Sequence, residues 1–300
     1  MPHLSTRVLQ GLLTLLLTLF GLLLVTFALS AFSPVDRVLQ IVGDHASQST
    51  YDQVRHQLGL DRPLPVQFWH YLQNLAHGDL GTASATGQPV LQDLLHAFPA
   101  TLELATLALI IGAVLGVIAG VLCARYAGSP LDLAIRTLTL LGNSVPIFWL
   151  GLLMLALFYA KLQWSAGPGR LDDIWQFTVE PRTGFALVDT WLSGDREAFR
   201  NALSHLVLPR LTRSACLSEM NKEYILLARA KGAGEMTILL RHVLPNIRGT
   251  LLTVIALAYT SMLEGAVLTE TVFSWPGIGR YLTTALFAGD TTAVMGGTLL

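Results

Sequence analysis

From Val8 to Phe32 the chain runs through Leu, Val, Phe, Thr and Ala without one charged side chain. About 20 apolar residues in helical form cross a hydrocarbon core, and inside lipid only a helix or a closed barrel satisfies its own backbone. The run exceeds the apolar region of about 7–15 residues found in a secretory signal, so it reads as a retained first span despite the faint cleavage-site look of "ALSAF". Composition agrees, with 52% of residues hydrophobic and 13% charged, where soluble domains carry roughly a quarter charged. The net charge of -1 supplies no basic field for nucleic acid. Cys123 and Cys216 stand far apart with no CxxC or Cys/His cluster, so they read as buried thiols rather than a disulfide or zinc site.

The remaining apolar runs divide the chain. Residues 1–32 form an N-terminal segment with the first span, 33–100 an extramembrane segment, and 101–300 a core of further spans. Within 33–100, "STYDQVRHQLGL" and "VQFWHYLQNLAHG" have helical spacing, and "GDLGTASATGQPV" is a turn-rich connector. Thr101–Ala124 is a second span, with Gly112, Gly116 and Gly120 on one face where another helix can approach closely. Leu138–Ala160 is a third, interrupted by Pro146, and Gly249–Val272 another. Between them lie a polar insert, 161–204, and the stretch His205–Met220, short for a span and costly to bury because of Arg210 and Arg213. "FSWPGIGRYLTTALFAGD" reads as an interfacial loop with a short helix, and "TTAVMGGTLL" as the start of a further apolar ramp.

Positive residues in short loops mark the cytoplasm. Arg125 and Arg136 lie in one such link; Arg213, Lys222, Arg229, Lys231, Arg241 and Arg248 lie in another. Placing both inside makes the amino terminus cytoplasmic and turns 33–100 and 161–204 outward. The insert, with five basic and six acidic residues, has no positive bias. This arrangement requires a crossing within 205–220.

The basic stretch 222–246 has a build of its own. Tyr224, Leu227, Ala228 and Lys231 share a helical face, and Gly232 ends that helix. Met236, Leu239, Leu240 and Val243 then form an apolar stripe before Leu244-Pro245. A short helix, a bend and an amphipathic helix can rest on anionic headgroups or dock in a groove of another protein.

The order Ala228, Gly232, Leu244-Pro245 resembles the coupling segment, or EAA loop, of permease subunits in ATP-binding-cassette importers. Leu226 and Leu227 stand where that segment has Glu-Ala, and His242 stands where it has Ile. "ARAKG" followed by "RHVLPN" is similar to the dipeptide/oligopeptide/nickel branch. "LGLDRPLPVQFWHYL", "HGDLGTA", "PVLQDLLHAFPATLELA", "SVPIFWLGLL" and "LTETVFSWPGIGRYL" follow in that branch's order, and the insert "TGFALVDTWLSGDREAF" is similar to the dipeptide and peptide-type members.

The resemblance implies an all-α, polytopic transmembrane bundle of the type I importer permease kind, with a cytoplasmic coupling helix hairpin, in a bacterial inner membrane. It implies pairing with a second permease, two ATP-binding subunits and a periplasmic substrate-binding protein, and a non-enzymatic role in di- or oligopeptide uptake. Nickel, haem or another small solute are alternative cargoes, and a non-transporting assembly subunit an alternative role. On that reading Tyr224, Ala228, Arg229, Lys231, Gly232, Leu244 and Pro245 engage an ATPase. The chain departs from the family's pattern in two places: apolar residues are missing after "LVLP", stunting the fourth span, and the last span is short. That leaves four clear spans, one stunted and one incomplete.

No Walker A, HExxH or GxSxG pattern occurs, so ATP chemistry belongs to a partner and no catalytic residue or cofactor is expected. His77, His96 and His205 lack metal-ligand spacing, and no metal is expected. Glu264 is an ionisable group inside a span, and such groups usually face a pathway or bundle interior. Asn143 and Ser144, before the break at Pro146, are further pathway candidates. Glu103, at the edge of a span, reads either as facing a bundle interior or water cavity or as solvated at an interface, Glu270 as bonded to the backbone of the "SWPGIG" loop, and Trp275 and Tyr281 as interfacial aromatics.

Overall fold

A computed structural model describes residues 2–43, 45–217, 252–253, 256–257, 259–263 and 265–299. The described chain is helical, apart from one isolated antiparallel bridge between Thr82 and Pro89 in the turn-rich connector. It divides into two compact units, Met1–Leu95 with Tyr281–Leu300, and His96–Arg280.

In the first unit, α1 (Pro2–Ala31) is the apolar run. Most of its side chains are exposed, Leu13, Leu16 and Leu17 among them, as a lipid-facing span requires. It is followed by α2 (Arg37–Val42), α3 (Gln48–Gln57) and α4 (Leu64–Ala76). Helices α3 and α4 fall on the two stretches whose spacing predicts them. Phe20 and Phe27 of α1 meet Phe68 and Tyr71 of α4, with ring centroids 5.1 Å apart for Phe27–Phe68 and 6.1 Å for the stacked Phe27–Tyr71 pair. Asp290 closes this unit from the far end of the sequence. Buried, it accepts from the Ala293 amide at 3.0 Å and the Ala85 amide at 3.2 Å.

Helix α5 runs from Val90 to Arg125, starting well before Thr101, where the sequence reading opened the second span. Pro99 lies inside it. A proline removes one backbone bond and usually breaks a helix. Here Val90, Leu94, Ala97, Thr101, Leu104 and Ala108 form one buried stripe at helical spacing. The stripe passes Pro99 by, so the packing that holds the helix continues across it. Gly112, Gly116 and Gly120 are buried while Val114, Leu115 and Ile118 are exposed, so the small-residue face is the covered one.

The third span is not straight. Helix α6 (Pro130–Ser144) ends at Val145, held extended at φ -92° and ψ 125°, the conformation a following proline imposes. Helix α7 (Ile147–Met154) restarts after Pro146 and continues as a π-helical turn over Leu155–Lys161. The two pieces bend by 101°, which makes this region a broken span or a re-entrant loop. Among the described residues two helices are long and apolar enough to cross a membrane, or three if the bent pair counts as one.

The insert folds into two short helices, α8 (Asp173–Thr178) and α9 (Ala186–Leu192). Helix α10 (Arg196–Leu217) then runs through the stretch where a crossing is required, but it starts upstream of it. Its residues Ala198, Ala202 and Leu206 are fully buried at four-residue spacing, and it packs on α9, α7 and α6. Helices α11 (Ala266–Val272), α12 (Ile278–Phe287) and α13 (Thr291–Gly297) complete the chain. Of the span read over Gly249–Val272, α11 is the described end.

Candidate functional site

Several buried charged groups of the second unit lie in the region of one side chain, Trp275. It is fully buried with Ala100, Leu104 and Leu206, and its indole N–H donates to the Ala100 carbonyl at 2.8 Å. This corrects the reading of Trp275 as an interfacial aromatic. The ring is a core element whose one polar atom has a partner, as burial requires. Tyr281 departs from that reading too, since its hydroxyl is buried.

Glu270, on α11, is fully buried beneath the same loop. One carboxylate oxygen accepts from the Thr101 hydroxyl at 2.7 Å; the other accepts from the Gly279 amide at 2.7 Å and the Arg280 amide at 3.2 Å. Thr101 Oγ1 in turn accepts from the Ile278 amide at 2.9 Å. The carboxylate thus sits at the start of α12, where unpaired amides and the helix dipole favour an anion. Glycine at 277 and 279 makes this possible, because a Cβ at either position would run into the carboxylate or the Val267 backbone. The expectation that Glu270 bonds the "SWPGIG" backbone agrees with this geometry.

Glu103 does for the insert what Glu270 does for the loop. It is buried, so of the two readings open from the sequence the solvated one does not hold. Its carboxylate accepts from the Ala186 amide at 3.2 Å and the Leu187 amide at 2.8 Å, the first turn of α9. Phe185, the residue before that helix, has no side-chain oxygen to cap it, so Glu103 of α5 supplies the missing acceptor. Arg170 closes the pair with a 2.6 Å contact to Glu103 and a second bond at 2.6 Å to the Gly184 carbonyl. Its guanidinium lies 5.8 Å from the centre of the Trp275 ring. Asp189 folds the preceding turn by accepting from both the amide and the hydroxyl of Thr183 and from the Gly184 amide. Gly184 itself has φ +79°, and its missing side chain leaves room for Pro99. On α10, His205 is buried, with Nδ1 3.0 Å from the Asn201 carbonyl and Nε2 3.3 Å from Asp172.

A cavity of about 450 Å³ opens beside this cluster, lined by His96, Arg170, Asp173, Asp189 and Arg280 among others. The cluster itself is not catalytic in form. Its acids are spent on amides and a guanidinium, and no group of three His, Cys, Asp or Glu among the described residues is placed to hold a metal ion. What it does is fasten the insert and the "SWPGIG" loop to one transmembrane helix. Sequence reasoning missed Arg170 and Thr101; for Arg170 no local pattern could have found a partner 67 residues away.

The residues singled out for function stand differently. Tyr224, Ala228, Arg229, Lys231, Gly232, Leu244 and Pro245 lie outside the described residues, as does Glu264. Ser144 ends α6, exposed, its hydroxyl donating to the Leu140 carbonyl at 2.9 Å. Asn143 precedes it on the helix, directly before the 101° bend.

Two long apolar helices, a bent pair of apolar helices and an insert clamped to one of the long helices mark a helical membrane protein. The sequence comparisons narrow this. The model of the binding-protein-dependent transport system inner membrane component matches residues 112–300, and that of the N-terminal part of such components matches 4–105. The chain belongs to this family of inner-membrane permease subunits, whose fold is the type I ATP-binding-cassette importer permease. It is similar to the probable D,D-dipeptide transport system permease protein DdpB of Escherichia coli K12, 45% identical over 94% of this chain and 86% of the relative. It is also similar to the di/tripeptide transport system permease protein DppB of Pseudomonas aeruginosa UCBPP-PA14 (41% identical, 94% and 88% covered) and the dipeptide permease DppB of E. coli K12 (38%, with the same coverage). The family is one of membrane transport, not of enzymes.

Proposed function

We propose that this chain is one of two permeases framing the pathway of a di- or oligopeptide importer, driven by ATP hydrolysis in partner subunits. The observation that carries the reading is the alignment, over 94% of the chain, with three permeases named for dipeptides or tripeptides at 38–45% identity. Two ATP-binding subunits dock on the cytoplasmic face, and a substrate-binding protein delivers cargo from outside, where 33–100 and 161–204 lie. The hairpin 222–246 sits in a cleft of one ATPase, with Tyr224, Arg229, Lys231, Leu244 and Pro245 in contact. Ala228 and Gly232 permit close backbone approach. Closure of the ATPase pair moves the hairpin as a rigid body and rocks the spans. Glu264, Asn143 and Ser144 line the pathway.

Two measurements test this. Cells depending on this chain are supplied with a labelled dipeptide, and separately with nickel or haem; uptake of the dipeptide alone, abolished with the ATPases, is the expected result. Single cysteines at Ala228 and Ala233, in a chain lacking Cys123 and Cys216, should cross-link to an ATPase subunit in an ATP-dependent manner. Labelling of those cysteines from outside only, with no cross-link, would sink the coupling role.

A further inference from the structure

Arg37 opens α2 at the end of the first span, and its guanidinium is partly buried. Its one hydrogen-bond partner among the described residues is the neutral Ser30 hydroxyl. Asp36, next in the chain, is already engaged: one oxygen accepts from the Val38 and Leu39 amides, the other from the Tyr51 hydroxyl at 2.7 Å. Burial pulls Arg37 below the ordinary guanidinium pKa, and no neighbouring charge offsets it. A guanidinium does not lose its proton at any physiological pH, and a desolvated charge needs a counter-charge. Here none of the described carboxylates supplies it.

The same side chain lines a cavity of about 430 Å³ together with Arg62, Tyr71 and Asn74. Arg62 meets a ring nitrogen of His70 at 2.7 Å and no described carboxylate. The cavity's one acidic residue, Asp79, is exposed and already accepts from the Gly81 amide. Two guanidiniums around one cavity match an oxyanion, since arginine forks are suited to phosphate and carboxylate oxygens.

The position of the cavity decides between sources of that oxyanion. Phe27, in the last turns of the apolar α1, forms part of its wall. Beside it Leu29, Phe32 and Trp69 are 70%, 76% and 60% exposed, and aromatic side chains at the end of a span mark headgroup depth. A free phosphate or a peptide carboxylate would answer the charges but leave these apolar groups bare. A phospholipid answers both, with its acyl chains along α1. We infer that this cavity holds the phosphate of an anionic phospholipid headgroup between Arg37 and Arg62.

The test uses the full-length chain purified with phosphatidylglycerol and phosphatidylcholine in known ratio, and native mass spectrometry to count retained lipid. The expected result is one phosphatidylglycerol held per chain after the annular lipid is stripped. Arg37→Gln should lower that retention about tenfold, the effect of losing one charge-assisted bond, and Arg37→Lys should restore part of it. Arg62→Gln changes an exposed side chain of the same cavity and should lower retention by a similar factor. Unchanged retention in both Arg37→Gln and Arg62→Gln would overturn the site. Displacement of the lipid by millimolar inorganic phosphate or a dipeptide would overturn the lipid assignment in favour of a soluble oxyanion. Loss of the lipid when the second permease binds would show that a partner carboxylate fills the site instead.

Discussion

The buried acids of His96–Arg280 and Arg37 of the other unit are treated in opposite ways. In His96–Arg280 the buried acids are answered from within the chain: Glu103 by Arg170 and two amides, Glu270 by Thr101 and two amides, Asp189 by Thr183 and Gly184. In the unit built on α1, Arg37 is desolvated with only a hydroxyl beside it. A charge answered internally fixes geometry, because its partners lose freedom to satisfy it. A charge left open is a place where something outside the chain can add stability by binding. The first arrangement suits a clamp that holds loops on a span; the second suits a receptor.

The contrast can be broken most forcefully at Glu270. Glu270→Ala should strand the Thr101 hydroxyl and the Gly279 and Arg280 amides, at a cost of about 3–5 kcal/mol. That would appear as a large drop in thermal unfolding temperature of the detergent-solubilised chain. Arg170→Ala should cost somewhat less, about 2–4 kcal/mol, since Glu103 keeps the two amides of α9. Hydrogen exchange should then accelerate at Ala186 and Leu187 and leave α1 untouched. Exchange unchanged at those amides would show that the ion pair is not what holds the insert.

Arg37 supplies the opposite sign. In lipid-free detergent, Arg37→Gln removes an unanswered charge and should leave unfolding unchanged or raise stability by up to about 1 kcal/mol. A loss comparable to that of Arg170→Ala would erase the distinction between the units. The smallest effect concerns the cap beside it. The Tyr51 hydroxyl, chiefly, holds the Asp36 carboxyl below the ordinary value of 3.8. A depressed carboxylate contributes stability that is present above its unfolded pKa and lost as pH falls through its folded one. Tyr51→Phe should therefore raise the pH at which the Val38 and Leu39 amides lose exchange protection, moving it toward the ordinary carboxylate range. An unshifted profile would mean that the helix cap alone sets the Asp36 titration.

Much of the fold was legible because lipid and helix period leave few choices. The apolar run of α1, the amphipathic spacing of α3 and α4, the break at Pro146 and the buried glycine face of α5 follow from local pattern. So does the pairing of Glu270 with its loop, since the partners lie within ten residues and the glycines between them have no other reason to cluster. Not everything was legible. For Glu103 burial and solvation stayed open, because its partners, Arg170 and the first turn of α9, stand 67 to 84 residues away. Trp275 looked interfacial because composition cannot tell a belt from a core. Helix α5 begins upstream of the span read from Thr101, because its buried stripe carries it past Pro99.

By itself, then, the sequence determined that this protein lives in a membrane, that it is helical, and that it belongs with importer permeases. Hydrophobic length, period and motif order are properties of neighbouring residues and need no fold to be read. Only the tertiary structure decided where the charges go. Whether a carboxylate is solvated, clamped or capping depends on groups brought near it from elsewhere in the chain, and the energy of a buried charge is set by those neighbours rather than by its own place in the sequence.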